Sequence, residues 1–408
     1  MTLPSTQAQP SSKYDYETLA RHSFVWMMIS VIFFQKFGIR IGKDTIPLAL
    51  PGAYLIIAYL VMKGAISIEP VRLILFSIYF CLGWIGLAMN PSASPASFFL
   101  VAGLAFTFVF RLPVSNTTFR WCMRCFVAAM MLTGPVVLVE WGLQIIFGPG
   151  MWVNLESIVP PDFLVPGFMY RHPTSFQSPW MQPNAAVFLE VSILSQLLAI
   201  AFMIELSYFC RPACLAILSS TMLITLGGSG PFLMTLSLPF LIVYTPPRLL
   251  VPGFLFASIL LLLLSTTTVF SDFSGRVFEY QNPQSSSYGR FVVPFELIKA
   301  QLTADGGVFY GRGPGTGDAA GAGFPLGKLL YEYGVLATVS YYALFIAMLF
   351  GSGQPPLVVW ALFVFFSFLG GGLGVPFYPL ACVTLGGLFS RTKPAKADLR
   401  AQTPLAAQ

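Results

Sequence analysis

Long apolar runs, broken by short polar, Gly or Pro stretches, set the rhythm of this chain. One of them, "LLVPGFLFASILLLLLSTTTVF" over 249–270, is apolar on every side. Such a run suits lipid as its solvent. About 20 apolar residues carry a helix across the hydrocarbon, and a helix pairs its own backbone groups there. A barrel would show short alternating segments instead. The pattern predicts spans near 24–40, 46–62, 72–89, 96–112, 125–147, 184–206, 212–227, 231–245, 249–270, 324–350, 356–370 and 374–390, about twelve in all. The expected architecture is an all-α polytopic membrane protein. A polar tail spans 1–23, a single transmembrane domain 24–390, and a second tail 391–408. Residues 1–23 lack the basic start and small-residue cleavage site of a signal peptide, so the first span is read as retained.

Composition strengthens this picture. The 408 residues are 56% hydrophobic and 9% charged, with a mean hydropathy of +0.76, too apolar for one soluble core. The net charge of +6 reflects loop bias and gives no warrant for nucleic-acid binding. An even number of spans puts both termini on one side. With that side cytoplasmic, inner segments hold thirteen of the 22 Lys and Arg, from Lys13 and Arg21 to Lys396 and Arg400. Lys36, Arg40 and Lys43 fall in the first outer turn and contradict the rule locally. Cys122, Cys125, Cys210 and Cys214 fall on the inner side. Four thiols permit a zinc site, but reduced cysteines are the better reading on a cytoplasmic face.

Two predicted outer loops, 148–183 and 271–323, are long and rich in aromatics, as functional loops are. In the second, Phe291, Phe295, Ile298 and Leu302 form one helical stripe, with Pro294 in an early turn and Arg290 near the start. This is either a helix anchored at the membrane surface or part of a site. "YGRGPGTGD" follows, with Arg312, Gly313, Gly315 and Asp318. Alternating glycines permit close backbone approach and anion-facing N–H groups, or simply make a connector. No Walker or Rossmann context surrounds them. The first loop brings Arg171 and His172 together, as a surface turn or as site residues. Lys328 and Glu332 stand four apart on one helical face, which is a surface ion pair or a functional pair. Glu140 and Glu190 are similar cases. The outer loops show no His, Asp or Glu cluster with metal-ligand spacing, so no metal or other cofactor is implied.

The order of these parts resembles the Wzy-type polysaccharide polymerases and their relatives, the O-antigen ligases. The likeness in topology covers most of the chain. The likeness in motif covers an Arg before a Pro-Asn helix start (167–190), then "YGR", "GRGPGTG" and the Glu332-Tyr333-Gly334 segment (287–334). The resemblance implies a polymerase that joins undecaprenyl-pyrophosphate-linked oligosaccharides at the outer face of the bacterial inner membrane. It implies membrane lipid, a flippase and a chain-length regulator as partners. It makes Arg290 the family's loop arginine. His172, Glu332 and Asp318 are candidate bases, and Arg171, Arg312, Gly313, Gly315, Asp318 and Lys328 candidate substrate contacts. Ligases usually carry a His-Asn pair before the Glu-x-Gly helix. Here "GAGFPLGKLLYEYG" has none, which favours a polymerase. A ligase-like glycan transferase and a transporter or flippase of lipid-linked sugars are the alternatives. A transporter would show inverted repeats and broken helices.

Overall fold

The computed structural model describes residues 13–41, 44–149, 151, 155–166, 168, 170–174, 178–245, 288, 292–303, 307–317, 323–370 and 372–392. The helices in chain order are α1 (Lys13–Phe33), α2 (Ala49–Met62), α3 (Pro70–Met89), α4 (Pro95–Phe106), α5 (Asn116–Phe147), α6 (Val191–Tyr208), α7 (Pro212–Ile224), α8 (Ser229–Leu236) and α9 (Leu238–Tyr244). They continue as α10 (Val293–Thr303), α11 (Gly307–Tyr310), α12 (Pro325–Gly351), α13 (Pro356–Ser367) and α14 (Phe377–Gly386). Short strands lie at β1 (Gly38–Ile41), β2 (Asp44–Pro47), β3 (Ser67–Ile68), β4 (Phe110–Val114) and β5 (Phe389–Arg391).

The expectation of about twelve spans is overturned. Among the described residues, four helices are long and apolar enough to cross a bilayer: α3, α5, α6 and α12. The rest stop short. With 14 residues, α2 rises only about 21 Å, against a hydrocarbon core of about 30 Å. Pro212 opens α7 and left-handed Leu226 follows it, so the run from 212 yields 13 helical residues. Ser237 and Pro239 divide the next run into α8 and α9. Hydropathy stays high across such breaks, whereas the helix does not. Although α1 has 21 residues, its first turns carry Lys13, Asp15, Glu17 and Arg21. The run 249–270 lies outside the described residues. The chain is thus a membrane-associated, multi-pass protein, and its described residues hold fewer membrane-length helices than their hydropathy suggests. Exposed Leu55, Ile74, Leu132, Ile145 and Phe350 show an outer surface that lipid would cover.

The described residues are mainly helical, with two small sheets besides. A hairpin pairs β1 with β2, and a second sheet has the order β3-β4-β5, with β4–β5 parallel; neither closes into a barrel. The short helix expected within the second outer loop is present as α10, and α11 follows it.

One helix forms the axis of the bundle. Of its membrane-length window, 78% of α6 is buried, against 22% of α3, so α6 is enclosed by protein while α3 faces outward. Small residues let α8 approach it: Gly230 N donates to Ser195 Oγ (3.0 Å), which donates to Gly227 O (2.8 Å). A Cβ on Gly230 would collide with the Ser195 backbone.

The three-stranded sheet closes one end of the bundle. Buried Arg72, in the first turn of α3, donates to Phe108 O and Phe110 O (3.2 and 3.3 Å) and to Met348 O (3.3 Å). It thereby ties α3, β4 and α12 together and satisfies a charge that would otherwise be costly there. From this end α3 and α5 lead away. The α3–α4 turn and the Gly148 end of α5 therefore lie at the opposite end.

Candidate functional site

At that opposite end the longest chemical clue in the sequence folds onto a broken helix. α12 leaves helical geometry at Gly334 (φ 74, ψ 179). The break removes the usual donors from the carbonyls before it. The glycine-rich loop replaces them: Arg312 N donates to Tyr331 O (2.8 Å) and Gly313 N to Glu332 O (2.9 Å). The approach is backbone to backbone. A Cβ on Gly311 would overlap Glu332 O and one on Gly334 would overlap Phe309 O, and both residues hold φ 74. Only glycine suits both demands. On its other side the loop rests on the α3–α4 turn. Ser94 N donates to Pro314 O (2.7 Å), and Gly313 and Gly315 pack over Asn90, Ala93 and Ser94.

This arrangement corrects the picture of an open cradle of N–H groups. Three of them, on Arg312, Gly313 and Gly317, point to α12: Gly317 N donates to Glu332 Oε1 at 2.9 Å. Lys328 Nζ lies 3.7 Å from the same oxygen, and both side chains are buried. Lys328 and Glu332 are therefore an internal pair and not a surface one. Arg312 itself is exposed and donates Nε to Gln301 Oε1 on α10 at 3.2 Å. Glu332, Lys328, Arg312, Gly313 and Gly315 thus form one cluster. Arg290 and Asp318 lie outside the described residues.

The expected stripe on α10 is turned by about one position. Pro294 and Gln301 are buried and Leu297 and Ile298 half-buried, whereas Phe295 is exposed and meets Phe324 edge-on (5.5 Å). The polar Gln301 was invisible to an apolar pattern because its value is as the acceptor for Arg312.

The first loop forms a second assembly at the Gly148 end of α5. Residues 172–174 and 178–182 pair antiparallel as the two arms of a hairpin: Gln182 N donates to His172 O (2.7 Å) and Thr174 N to Trp180 O (2.8 Å). Arg171 is exposed and His172 half-buried. Gln144 on α5 clamps Met181 by both backbone groups, at 2.9 and 2.8 Å. Beyond the hairpin, Ala185 and Ala186 are left-handed (φ 52 and 59), and their N–H groups both reach the buried Glu140 carboxylate at 2.9 Å. Successive N–H groups in such a turn make a small anion-holding nest. Here the anion is the protein's own.

The local exceptions to the charge rule now have a physical account. Lys36 Nζ meets Glu156 Oε1 at 2.6 Å, and Arg40 meets Asp162 at 3.3 Å. The first-loop acids therefore pair with two of the three basic residues; Lys43 lies outside the described residues. Burial pushes the Lys36 ammonium below its ordinary value, although Glu156 and the more distant Glu140 oppose this. As pH rises through that lowered value, the folded chain releases the proton before the unfolded chain does. The desolvation cost is then relieved and stability rises. Removing only Glu156 leaves a buried cation. Glu156→Ala is expected to cost about 3 kcal/mol in thermal unfolding in detergent. The Lys36→Met, Glu156→Met double variant should stay within about 1 kcal/mol of the parent. A fully stable Glu156→Ala protein would show that the pair does not hold the loop.

The first-loop hairpin bonds to α5 and, through Gln182 Nε2, to Leu226 O (3.0 Å), whereas the glycine loop rests on the α3–α4 turn, α10 and α12. No family model matches the sequence, and no curated protein is significantly similar to it.

Proposed function

We propose that this chain is a glycosyltransferase of the bacterial inner membrane, a polysaccharide polymerase that joins undecaprenyl-pyrophosphate-linked oligosaccharide repeat units at the outer face. The observation that supports this reading most is the broken α12. Its Gly334 kink and the locked glycine loop set exposed Arg312 beside the Lys328–Glu332 pair at one end of the bundle.

In the proposed reaction a hydroxyl oxygen of one glycan attacks the anomeric carbon of another. A glycosidic C–O bond forms, the C–O bond to the pyrophosphate breaks, and the lipid pyrophosphate leaves with the electron pair. Arg290 and Arg312 take its growing negative charge, a task suited to planar guanidinium forks. His172, with Asp318 as the alternative, accepts the hydroxyl proton. Arg171 orients the acceptor, and Gly313 and Gly315 let the loop that carries Arg312 seat closely on the α3–α4 turn. Glu332 is fully buried and bonded to Gly317 N, so its best-supported part is to position the loop.

One observation favours a transporter of lipid-linked sugars instead, since broken helices mark such proteins. Against it, Arg312 N and Gly313 N already bond two of the carbonyls freed at the break, Tyr331 O and Glu332 O, so the protein's own backbone closes much of the break. The two readings separate in vesicles loaded with undecaprenyl-pyrophosphate-linked oligosaccharide. The polymerase reading expects a ladder of longer glycans, reduced roughly tenfold by Arg290→Lys at equal protein abundance. Movement of the substrate between leaflets without chain growth would overturn it in favour of transport. Transfer only onto a lipid-core saccharide acceptor would make the chain a ligase.

A further inference from the structure

The sheet end of the bundle carries a second concentration of unusual chemistry, remote from the cluster above and independent of its reading. Phe209 ends α6, and its ring is surrounded by arginines. The guanidinium carbons of Arg120, Arg124 and Arg211 lie 5.6, 5.2 and 5.1 Å from the ring centroid. Three cations are thus gathered within roughly one Debye length, about 10 Å, of one another. One carboxylate partly offsets them. Fully buried Glu205 accepts from Arg211 N, Nε and Nη2 at 2.9, 2.9 and 2.7 Å. That fixes Arg211. Arg120 is fixed by its bond from Nη2 to Tyr208 O at 2.7 Å. Arg124 stacks on the ring. Left-handed Cys210 (φ 53) turns the chain between α6 and α7, so the N-terminus of the 13-residue α7 opens beside Arg211. Nearby, Arg21 stands over Trp121 at 5.5 Å.

Such a platform repels itself without an anion. Arg211 gives its Nε–Nη2 fork to Glu205 and adds chiefly charge, whereas the exposed guanidinium groups of Arg120 and Arg124 offer N–H donors that match phosphate oxygens. The surface that continues from it says which phosphate. Arg120, Arg124, Ala128, Leu132 and Val136 are all exposed and stand four residues apart along α5, so they form one ridge. The ridge is cationic at the sheet end and apolar towards the bilayer interior. We propose that this ridge and the Phe209 platform bind an anionic phospholipid, with its phosphate on Arg120, Arg124 and Arg211 and an acyl chain along Ala128, Leu132 and Val136. Anionic headgroups and basic residues attract at such boundaries, and Trp121 suits the same depth.

The test uses the full chain in mild detergent. Dioleoyl phosphatidylglycerol, dioleoyl phosphatidylcholine and inorganic phosphate are each titrated while thermal unfolding is followed, because a ligand of the folded state raises Tm by mass action. Phosphatidylglycerol is expected to raise Tm in a saturable way, phosphatidylcholine much less, and inorganic phosphate not at all. Arg124→Gln should weaken the phosphatidylglycerol response several-fold. The Arg120→Gln, Arg124→Gln double variant should weaken it roughly tenfold or more. Arg124 lies exposed at the surface, so its single variant reads the site even if the double variant folds poorly. Equal responses to the two lipids, or an undiminished response in Arg124→Gln, would overturn the proposal. Full stabilisation by inorganic phosphate alone would overturn the lipid assignment and leave a free-phosphate site.

Discussion

Alanine in place of Gly334 is expected to detach the glycine loop from α12 and to cost about 4 kcal/mol of stability. Two penalties act together. At φ 74 a Cβ is strained by about 1–2 kcal/mol, and here it also overlaps the Phe309 carbonyl, a backbone group that cannot swing aside. Relief by separation would lose the bonds from Arg312 N and Gly313 N and leave two carbonyls unpaired. Thermal unfolding in detergent would measure the loss, and limited proteolysis within 307–317 would show the freed loop. Gly142→Ala is the control. Its Cβ would meet nothing within 4 Å, and alanine there should gain up to about 1 kcal/mol. A Gly334→Ala protein as stable and protease-resistant as its parent would mean that the break in α12 does not hold the loop. If the loop serves glycan transfer as proposed, the same variant should also lose polymer yield.

Glu140→Ala should have an effect of similar size on the first loop. It strips the shared acceptor from Ala185 N and Ala186 N, two buried donors, each costing about 1–3 kcal/mol when left unsatisfied. The expected total is about 4 kcal/mol. Glu140→Gln should cost less, because its carbonyl oxygen still accepts one N–H while its amide group faces the other. Hydrogen exchange at 185 and 186 gives the local readout. These amides should lose protection in Glu140→Ala before the amides of α6 do. Unchanged protection would show that the left-handed turn holds itself without the carboxylate.

Some of this was legible in the sequence, for reasons that can be stated residue by residue. Gly311, Gly313 and Gly315 stood out because alternating glycines permit close backbone approach, and Gly334 through the resemblance; each holds a positive φ. Lys328 and Glu332 stood out as charges four apart in apolar surroundings, although burial makes them an internal pair. What failed was the count of spans. A hydropathy window adds residues on both sides of a break, so it joins 231–236 to 238–244, whereas Ser237 and Pro239 separate them in space. Long-range pairing was equally hidden. Lys36 looked misplaced because its partner, Glu156, stands 120 positions away. Gln144, which clamps Met181 by both backbone groups, belongs to no periodic pattern. The shared mechanism is that local pattern reports on solvent and on φ, while partner choice depends on the assembled chain.

The parallel pairing of β4 with β5 has a consequence for the birth of the molecule. Thr392 N donates to Val114 O, Leu112 N to Leu388 O, and Arg391 N to Ser352 O. Residues near 114 must therefore await partners made 278 positions later. At ribosomal speeds of about 5–20 residues per second, that wait is roughly a quarter of a minute to a minute. Through that interval β4 has β3 on one side and an open hydrogen-bonding edge on the other. The helices made in between must find their places around an unfinished seam. Its last stitch is supplied only when β5 emerges, so nascent chains halted before Phe389 would carry an exposed edge ready to pair with another molecule.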